Sequence, residues 1–105
     1  MDTTTTEINE IQLDEKIVTK QDEPKRVKVI FLNDDGTPME FVIQCLTTIY
    51  RHSADTAQEI TLIIHEEGSG VVGVYTHEIA EQKAIETTNL ARGSGFPLQI
   101  KLEEE

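Results

Sequence analysis

Regularly spaced apolar residues begin only at Arg26, and this boundary limits how much of the chain can form a core. Residues 1–24 contain seven acidic residues and two lysines, and they end in Asp-Glu-Pro. A segment of this composition buries too little apolar surface to offset the entropy lost on ordering. We therefore predict a disordered acidic N-terminal arm over 1–24 and a single folded domain over 25–105.

The apolar spacing within 25–105 predicts six elements in the order strand, helix, helix, strand, helix, strand. Strands are expected at 27–32 and 71–75, where β-branched and aromatic residues dominate, and at 98–102, where apolar and polar residues alternate. Apolar positions recur every three or four residues between them, as on helices. This βααβαβ order predicts an α+β two-layer sandwich: a three-stranded antiparallel sheet with three helices on one face.

Local signals predict where the helices begin and end. Thr37 and Glu40 have the spacing of a capping box for the first helix. Ser53 and Gly68 are expected to bound a second helix that is apolar nearly all round, as in a central position. Thr76 is expected to cap the third helix, whose inner stripe uses three alanines: Ala80, Ala84 and Ala91.

Composition excludes several classes of function. The formal net charge of −11 argues against nucleic acid and against an anionic membrane surface as partners, since both attract clustered Lys and Arg. Cys45 is the only cysteine and is expected to be a buried small hydrophobe. No apolar run is long enough to span a membrane, and the first residues lack the basic region of a signal peptide. We expect a cytoplasmic protein.

Partial matches to catalytic and metal-binding motifs fail on their context. Residues 68–73 match G-x-G-x-x-G, but they follow a predicted helix and open a strand, whereas a dinucleotide site follows a strand and opens a helix. His65 and His77 each precede a glutamate, yet neither has a histidine four residues on. We therefore expect no metal, no cofactor and no enzymatic activity.

The remaining unusual residues are Asn33, Asp34 and Asp35 after the first strand, and His65 on an apolar helix. Two ordinary interpretations stay open on the residues alone. Asn-Asp-Asp-Gly is typical of a plain turn, and a single histidine among isoleucines is typical of a hydrogen-bonded core residue.

The run of residues 32–42, Leu-Asn-Asp-Asp-Gly-Thr-Pro-Met-Glu-Phe-Val, resembles the signature of the ClpS adaptors. Three later blocks are similar to that family as well: 73–83, 91–92 and 96–98. The resemblance covers about 26–103 and implies the same βααβαβ fold. It further implies an adaptor that captures the bulky first residue of substrate proteins and delivers them to a Clp protease.

The resemblance also implies residue roles. Asn33, Asp34 and His65 would bind the substrate's free α-amino group, a cation at neutral pH. The apolar pocket and its rim would take Leu, Phe, Tyr or Trp, and would comprise seven residues: Asp35, Thr37, Met39, Val42, Thr61, Ile64 and Leu98. Glu78 and Lys83 would contact the N-terminal domain of a Clp-type AAA+ unfoldase, with the adaptor acting as a monomer.

Three features depart from the family pattern: two single positions, and the run Arg92-Gly93-Ser94-Gly95, which replaces a more charged helix end. Thr61 stands where a pocket methionine is frequent, which affects side-chain preference, and Gly36 stands where an aromatic residue is frequent. Two alternative functions stay open. The chain could instead be a binding module of the same fold serving another complex. It could also inhibit the unfoldase without delivering substrates.

Overall fold

The computed structural model describes residues 25–105, and the arm predicted over 1–24 lies outside them. The elements, in chain order, are β1 (Arg26–Leu32), α1 (Met39–Thr48), α2 (Ala54–Glu67), β2 (Ser69–Thr76), α3 (His77–Gly93) and β3 (Gln99–Glu104). The βααβαβ order and the α+β class are therefore confirmed. β2 begins two residues earlier than predicted, immediately after the residue that ends α2.

The sheet has the strand order β2-β1-β3, and both pairings with the central strand are antiparallel. Phe31 of β1 lies opposite Gly70 of β2 on one side and Ile100 of β3 on the other. Because side chains alternate along a strand, Val27, Val29 and Phe31 share one face, and each is at most 2% exposed. The three helices cover this face.

Helix α1 packs its predicted apolar side into the core. Leu46 and Cys45 are fully buried, and desolvation by burial raises the pKa of the Cys45 thiol to about 11. The Phe41 ring makes an edge contact with Phe96, with centroids 4.9 Å apart. Full burial of a side chain of this size contributes about 1.5–3 kcal/mol, so α1 is held chiefly by apolar contacts.

The capping box predicted for α1 is wrong. α1 begins at Met39, with Pro38 in the capping position and no side chain bonding the first turn. The Thr37 hydroxyl instead donates to the Asp34 carboxylate, 2.9 Å away. The residue before a proline is pushed toward an extended backbone, so Thr37 belongs to the turn and not to the helix.

Helix α2 begins and ends where predicted. The Ser53 hydroxyl accepts the backbone N–H of Thr56, and Gly68 ends the helix with φ of 93°, a left-handed conformation that suits glycine. The prediction that α2 is apolar nearly all round and central is wrong. Leu62 and Ile63 are each 49% exposed, because the helix layer has no further layer above it.

Helix α3 lies close to the sheet through small residues. Ala80 and Ala91 are fully buried as predicted, but Ala84 is only half-buried, and Thr87 fills the stripe between them. The Thr87 hydroxyl lies 2.9 Å from that of Tyr50, so the two share a buried hydrogen bond. Thr76 precedes α3 as predicted, yet its side chain makes no capping bond.

The link from α1 to α2 is fastened to the sheet. Arg51 adopts φ of 63°, and within 25–105 it is the only non-glycine residue with a positive φ. His52 follows, and its Nε2 lies 2.6 Å from the Val72 carbonyl oxygen, to which the ring N–H donates. Val72 is the extra residue of a β-bulge in β2, opposite Val29 and Ile30. This contact sets the position of α2 beside β2.

Candidate functional site

The turn after β1 is organised by the Asp34 carboxylate. The backbone N–H of Gly36 donates to Oδ1 at 2.8 Å, and the Thr37 hydroxyl donates to Oδ2 at 2.9 Å. A carboxylate offers about four acceptor positions, so two donors leave each oxygen able to accept another. The half-buried Asp34 is therefore a preoriented anion with spare acceptor capacity.

The same turn is joined to the end of α2. The backbone N–H of Asn33 donates to the Gly68 carbonyl at 2.9 Å. His65 lies three residues before Gly68, in the last turn of α2, and its side chain is exposed. The core interpretation of His65 is therefore wrong, since this histidine faces solvent at the end of α2 that is tied to the turn.

The loop before β3 supports the turn from its other side. A Cβ atom on Gly36 would lie 2.9 Å from Cγ of Pro97, too close for an ordinary contact. The Arg92 guanidinium donates to the carbonyls of Phe96 and Leu98 at 2.9 and 2.8 Å and so fixes the loop. Glycine at position 36 is thus explained by the close approach of Pro97. The supporting role of Arg92 leaves no signal in the local sequence pattern.

A cavity of about 340 Å³, which we call the α1–α2 groove, lies between helices α1 and α2. Its lining residues are Met39, Glu40, Ile43, Gln58, Thr61 and Leu62. The Thr61 hydroxyl donates to the Ala57 carbonyl at 2.7 Å, an i−4 bond within α2. Among the lining residues, only Glu40 and Gln58 have polar side chains that are not hydrogen-bonded within their own helix.

The residues predicted for the pocket fall into three places. Met39 and Thr61 line the α1–α2 groove. Asp35 and Thr37 belong to the turn, where Asp35 is exposed. The other three are core residues with almost no exposed surface: Val42, Ile64 and Leu98.

Sequence reasoning missed four of the groove residues: Glu40, Ile43, Gln58 and Leu62. The signal that could have found them is their spacing. Positions four apart on a helix are neighbours on one face, as Met39 and Ile43 are on α1 and Gln58 and Leu62 on α2. Two antiparallel helices whose facing residues are only partly covered leave a groove between them.

The two residues predicted to contact an unfoldase have different environments. Glu78 is exposed in the first turn of α3. Lys83 is half-buried, and its ammonium donates to the Ile49 carbonyl at 2.7 Å. The same Nζ lies 5.7 and 5.3 Å from the ring centroids of Tyr50 and Tyr75. Lys83 therefore ties α3 to the end of α1, in addition to any external contact.

Residues 25–105 contain neither a candidate metal-binding cluster nor a membrane-spanning helix. No group of three His, Cys, Asp or Glu side chains in this range could hold a metal ion. No helix in this range is long and apolar enough to cross a membrane.

A three-stranded sheet with helices on one face, and an acidic turn supported by the end of α2 and by the loop before β3, define a small two-layer domain of the α+β class. The sequence profile described as ATP-dependent Clp protease adaptor protein ClpS matches residues 22–101. The chain therefore belongs to the ClpS family of Clp protease adaptors.

Individual relatives agree with this assignment. The ClpS adapter of Campylobacter jejuni strain 81-176 is 48% identical over 87 residues, which are 83% of this chain and 91% of that protein. The ClpS adapter of Bdellovibrio bacteriovorus is 44% identical over 90 residues, covering 86% and 79%. A solved structure of Agrobacterium tumefaciens ClpS2 bound to L-phenylalaninamide is similar, with a TM-score of 0.76 and 46% identity. It covers 79% of this chain and 100% of that one.

Proposed function

We propose that this adaptor binds the free α-amino group and bulky first side chain of substrate proteins and delivers them to a Clp AAA+ unfoldase for degradation. The observation that carries the proposal is the preoriented Asp34 carboxylate, with spare acceptors, on a turn tied to the helix end that bears His65. The bound ligand of the Agrobacterium relative, an amino-acid amide with a free amine, supports the same chemistry.

The chemistry of a protein N-terminus matches these groups. An α-amino group has a pKa of about 7.7–8.0, so it is largely a cation at neutral pH and requires oxygen or nitrogen acceptors. Asp34 supplies the charge, and Asn33 and His65 supply further acceptors. An internal lysine could offer charge as well, but it cannot place a neighbouring Leu, Phe, Tyr or Trp side chain in the same geometry.

The magnitudes fit a transient receptor. Burial of one Leu- or Phe-sized side chain contributes about 1.5–3 kcal/mol. Each charge-assisted hydrogen bond adds about 1.5–3 kcal/mol. With two or three such bonds the gross gain is about 4.5–12 kcal/mol. The cost of association offsets part of this gain, so micromolar or weaker affinity is expected. Such a complex selects its substrate and still releases it to the protease.

The apolar part of the proposed site centres on Met39 and Thr61, which line the α1–α2 groove. Val42, Ile64 and Leu98, which are buried, would form its floor. Asp35 and Thr37 would form the rim beside the amine.

The partner on the protease side is the N-terminal domain of the unfoldase, reached through Glu78 and Lys83 on α3. The proposed adaptor is a cytoplasmic monomer without catalytic activity of its own.

Binding of peptides with free and acetylated N-termini tests the proposal. Fluorescence anisotropy should show micromolar binding of a free Phe-initiated peptide and loss of at least tenfold in affinity on acetylation, which removes the charge. An acetylated peptide that binds as tightly as the free one would refute amine recognition. It would favour a general interaction module of the same fold.

A further inference from the structure

We propose that Gln58 is a specificity-determining residue that reads the polar tip of an aromatic first side chain, and so favours Tyr and Trp over Phe. The inference rests on the proposed function and concerns the end of the α1–α2 groove farthest from the turn. Gln58 is not among the residues that the family resemblance assigns to the pocket.

The position of Gln58 follows from the helix repeat. Gln58, Leu62 and His65 are spaced by four and three residues, so they follow one another along one side of α2. Seven residues at 1.5 Å each place Gln58 about 10 Å along the axis from His65. A ligand whose amine lies at the His65 end, with its side chain along the groove, directs the tip of that side chain toward Gln58.

The opposite wall of the groove agrees with this direction. Met39 and Ile43 are successive turns of α1, and both line the groove. α1 begins beside the turn, while α2 ends beside it through the bond from Asn33 to the Gly68 carbonyl. The groove therefore leads away from the proposed amine site, with apolar walls at Met39, Thr61 and Ile43.

The chemistry of the groove selects the polar tip. The hydroxyl of Thr61 already donates to the Ala57 carbonyl. Within residues 25–105, no hydrogen bond engages the Gln58 side chain, whose amide can both donate and accept. A tyrosine hydroxyl or a tryptophan indole N–H loses its hydrogen bond to water when it enters the groove. If it reaches the Gln58 amide, it replaces that bond with one to the protein. A phenylalanine ring gains no hydrogen bond there, and the amide of the exposed Gln58 stays hydrated.

The experiment compares two peptides that differ by one oxygen. Affinities of Tyr- and Phe-initiated peptides are measured by fluorescence anisotropy for the wild type and for Gln58→Met, which keeps length and helix propensity but removes the amide. We expect the ratio of Tyr to Phe affinity to fall about three- to tenfold, as for one net hydrogen bond. Phe affinity should change by less than about twofold, since the groove stays apolar.

Gln82→Met is the matched control, because Gln82 is an exposed glutamine on α3, away from the groove. It should leave the Tyr to Phe ratio unchanged. An unchanged ratio in Gln58→Met, with normal Phe binding, would overturn the role of Gln58 and leave the proposed function intact. A change only in the preference for the second residue would also overturn it. Failure of the wild type to distinguish free from acetylated Phe peptide would instead refute the proposed function itself.

Discussion

Replacement of Asp34 by asparagine tests the proposed amine site with little disturbance of the turn. The asparagine carbonyl can still accept the Gly36 N–H that Oδ1 accepts at 2.8 Å. Its amide group can still hydrogen-bond to the Thr37 hydroxyl that lies 2.9 Å from Oδ2. The variant therefore keeps both contacts that hold the turn, and loses the negative charge and the acceptor positions of Oδ2.

The expected loss follows from the hydrogen bonds that Asp34 has to spare. An ammonium that donates to the free acceptor positions of a carboxylate makes a charge-assisted bond worth about 1.5–3 kcal/mol. At about 1.4 kcal/mol for each tenfold change, removal of the charge should weaken binding of a Phe-initiated peptide about 10- to 150-fold. The midpoint of thermal unfolding should stay within a few degrees of the wild type.

Fluorescence anisotropy measures the effect, and Glu59→Gln is the control. Glu59 is an exposed acid on α2, so this variant changes the net charge equally without touching the turn. It should bind the peptide within about twofold of the wild type. An Asp34→Asn affinity within twofold of the wild type would show that Asp34 does not bind the amine.

The remaining predictions concern specificity, stability and delivery. Thr61→Met should fill the α1–α2 groove and narrow the preference among Leu, Ile, Phe and Trp peptides; unchanged relative affinities would show that Thr61 does not contact the ligand. Since burial raises the pKa of Cys45 from 9.0 to about 11, the fold keeps the thiol protonated. The free energy of unfolding should be undiminished below pH 9 and then fall toward pH 11 by up to about 1.4 kcal/mol per pH unit. Urea titrations should show a shallower alkaline fall in Cys45→Ala, and identical slopes would contradict this assignment. A chain that starts at Pro24 should bind peptides normally but fail to promote degradation of a reporter by the reconstituted unfoldase and peptidase; equal degradation rates would show that residues 1–24 play no part in delivery.

Some residues of the candidate site could be predicted from the sequence, and others could not. The resemblance of residues 32–42 to the ClpS signature predicted that Asn33 and Asp34 bind the amine. This was possible because the two residues are contiguous and belong to one short turn. The groove residue Gln58 was not found, because a polar residue on a helix is usually only part of the solvated side. Gln58 lines the groove only because α1 packs opposite α2, and this packing joins segments that are separated in the sequence.

Local interactions determined the order of the elements and the limits of α2, so the sequence alone sufficed for these. Period-two and period-3.6 apolar patterns distinguish strand from helix without knowledge of the partners. Ser53 and Gly68 act on backbone groups within a few residues of themselves, and both bounds of α2 were predicted correctly. Thr37 was assigned wrongly as a cap, because its hydroxyl donates to the Asp34 carboxylate and accepts no backbone N–H of α1.

Only the tertiary structure decided which apolar residues stay exposed and which polar groups form hydrogen bonds within the domain. Leu62 and Ile63 are half exposed because the helix layer ends there, a fact of packing that no local pattern records. Lys83 bonds to the Ile49 carbonyl across 34 residues of sequence, and Gly36 is required by the approach of Pro97. The sequence by itself determined the strands, the helices and the acidic turn, since the apolar periods of the strands and helices and the hydrogen bonds of the helices and the turn are local. The tertiary structure decided the groove and the supports of the turn, because each joins segments that meet only when the helices pack on the sheet.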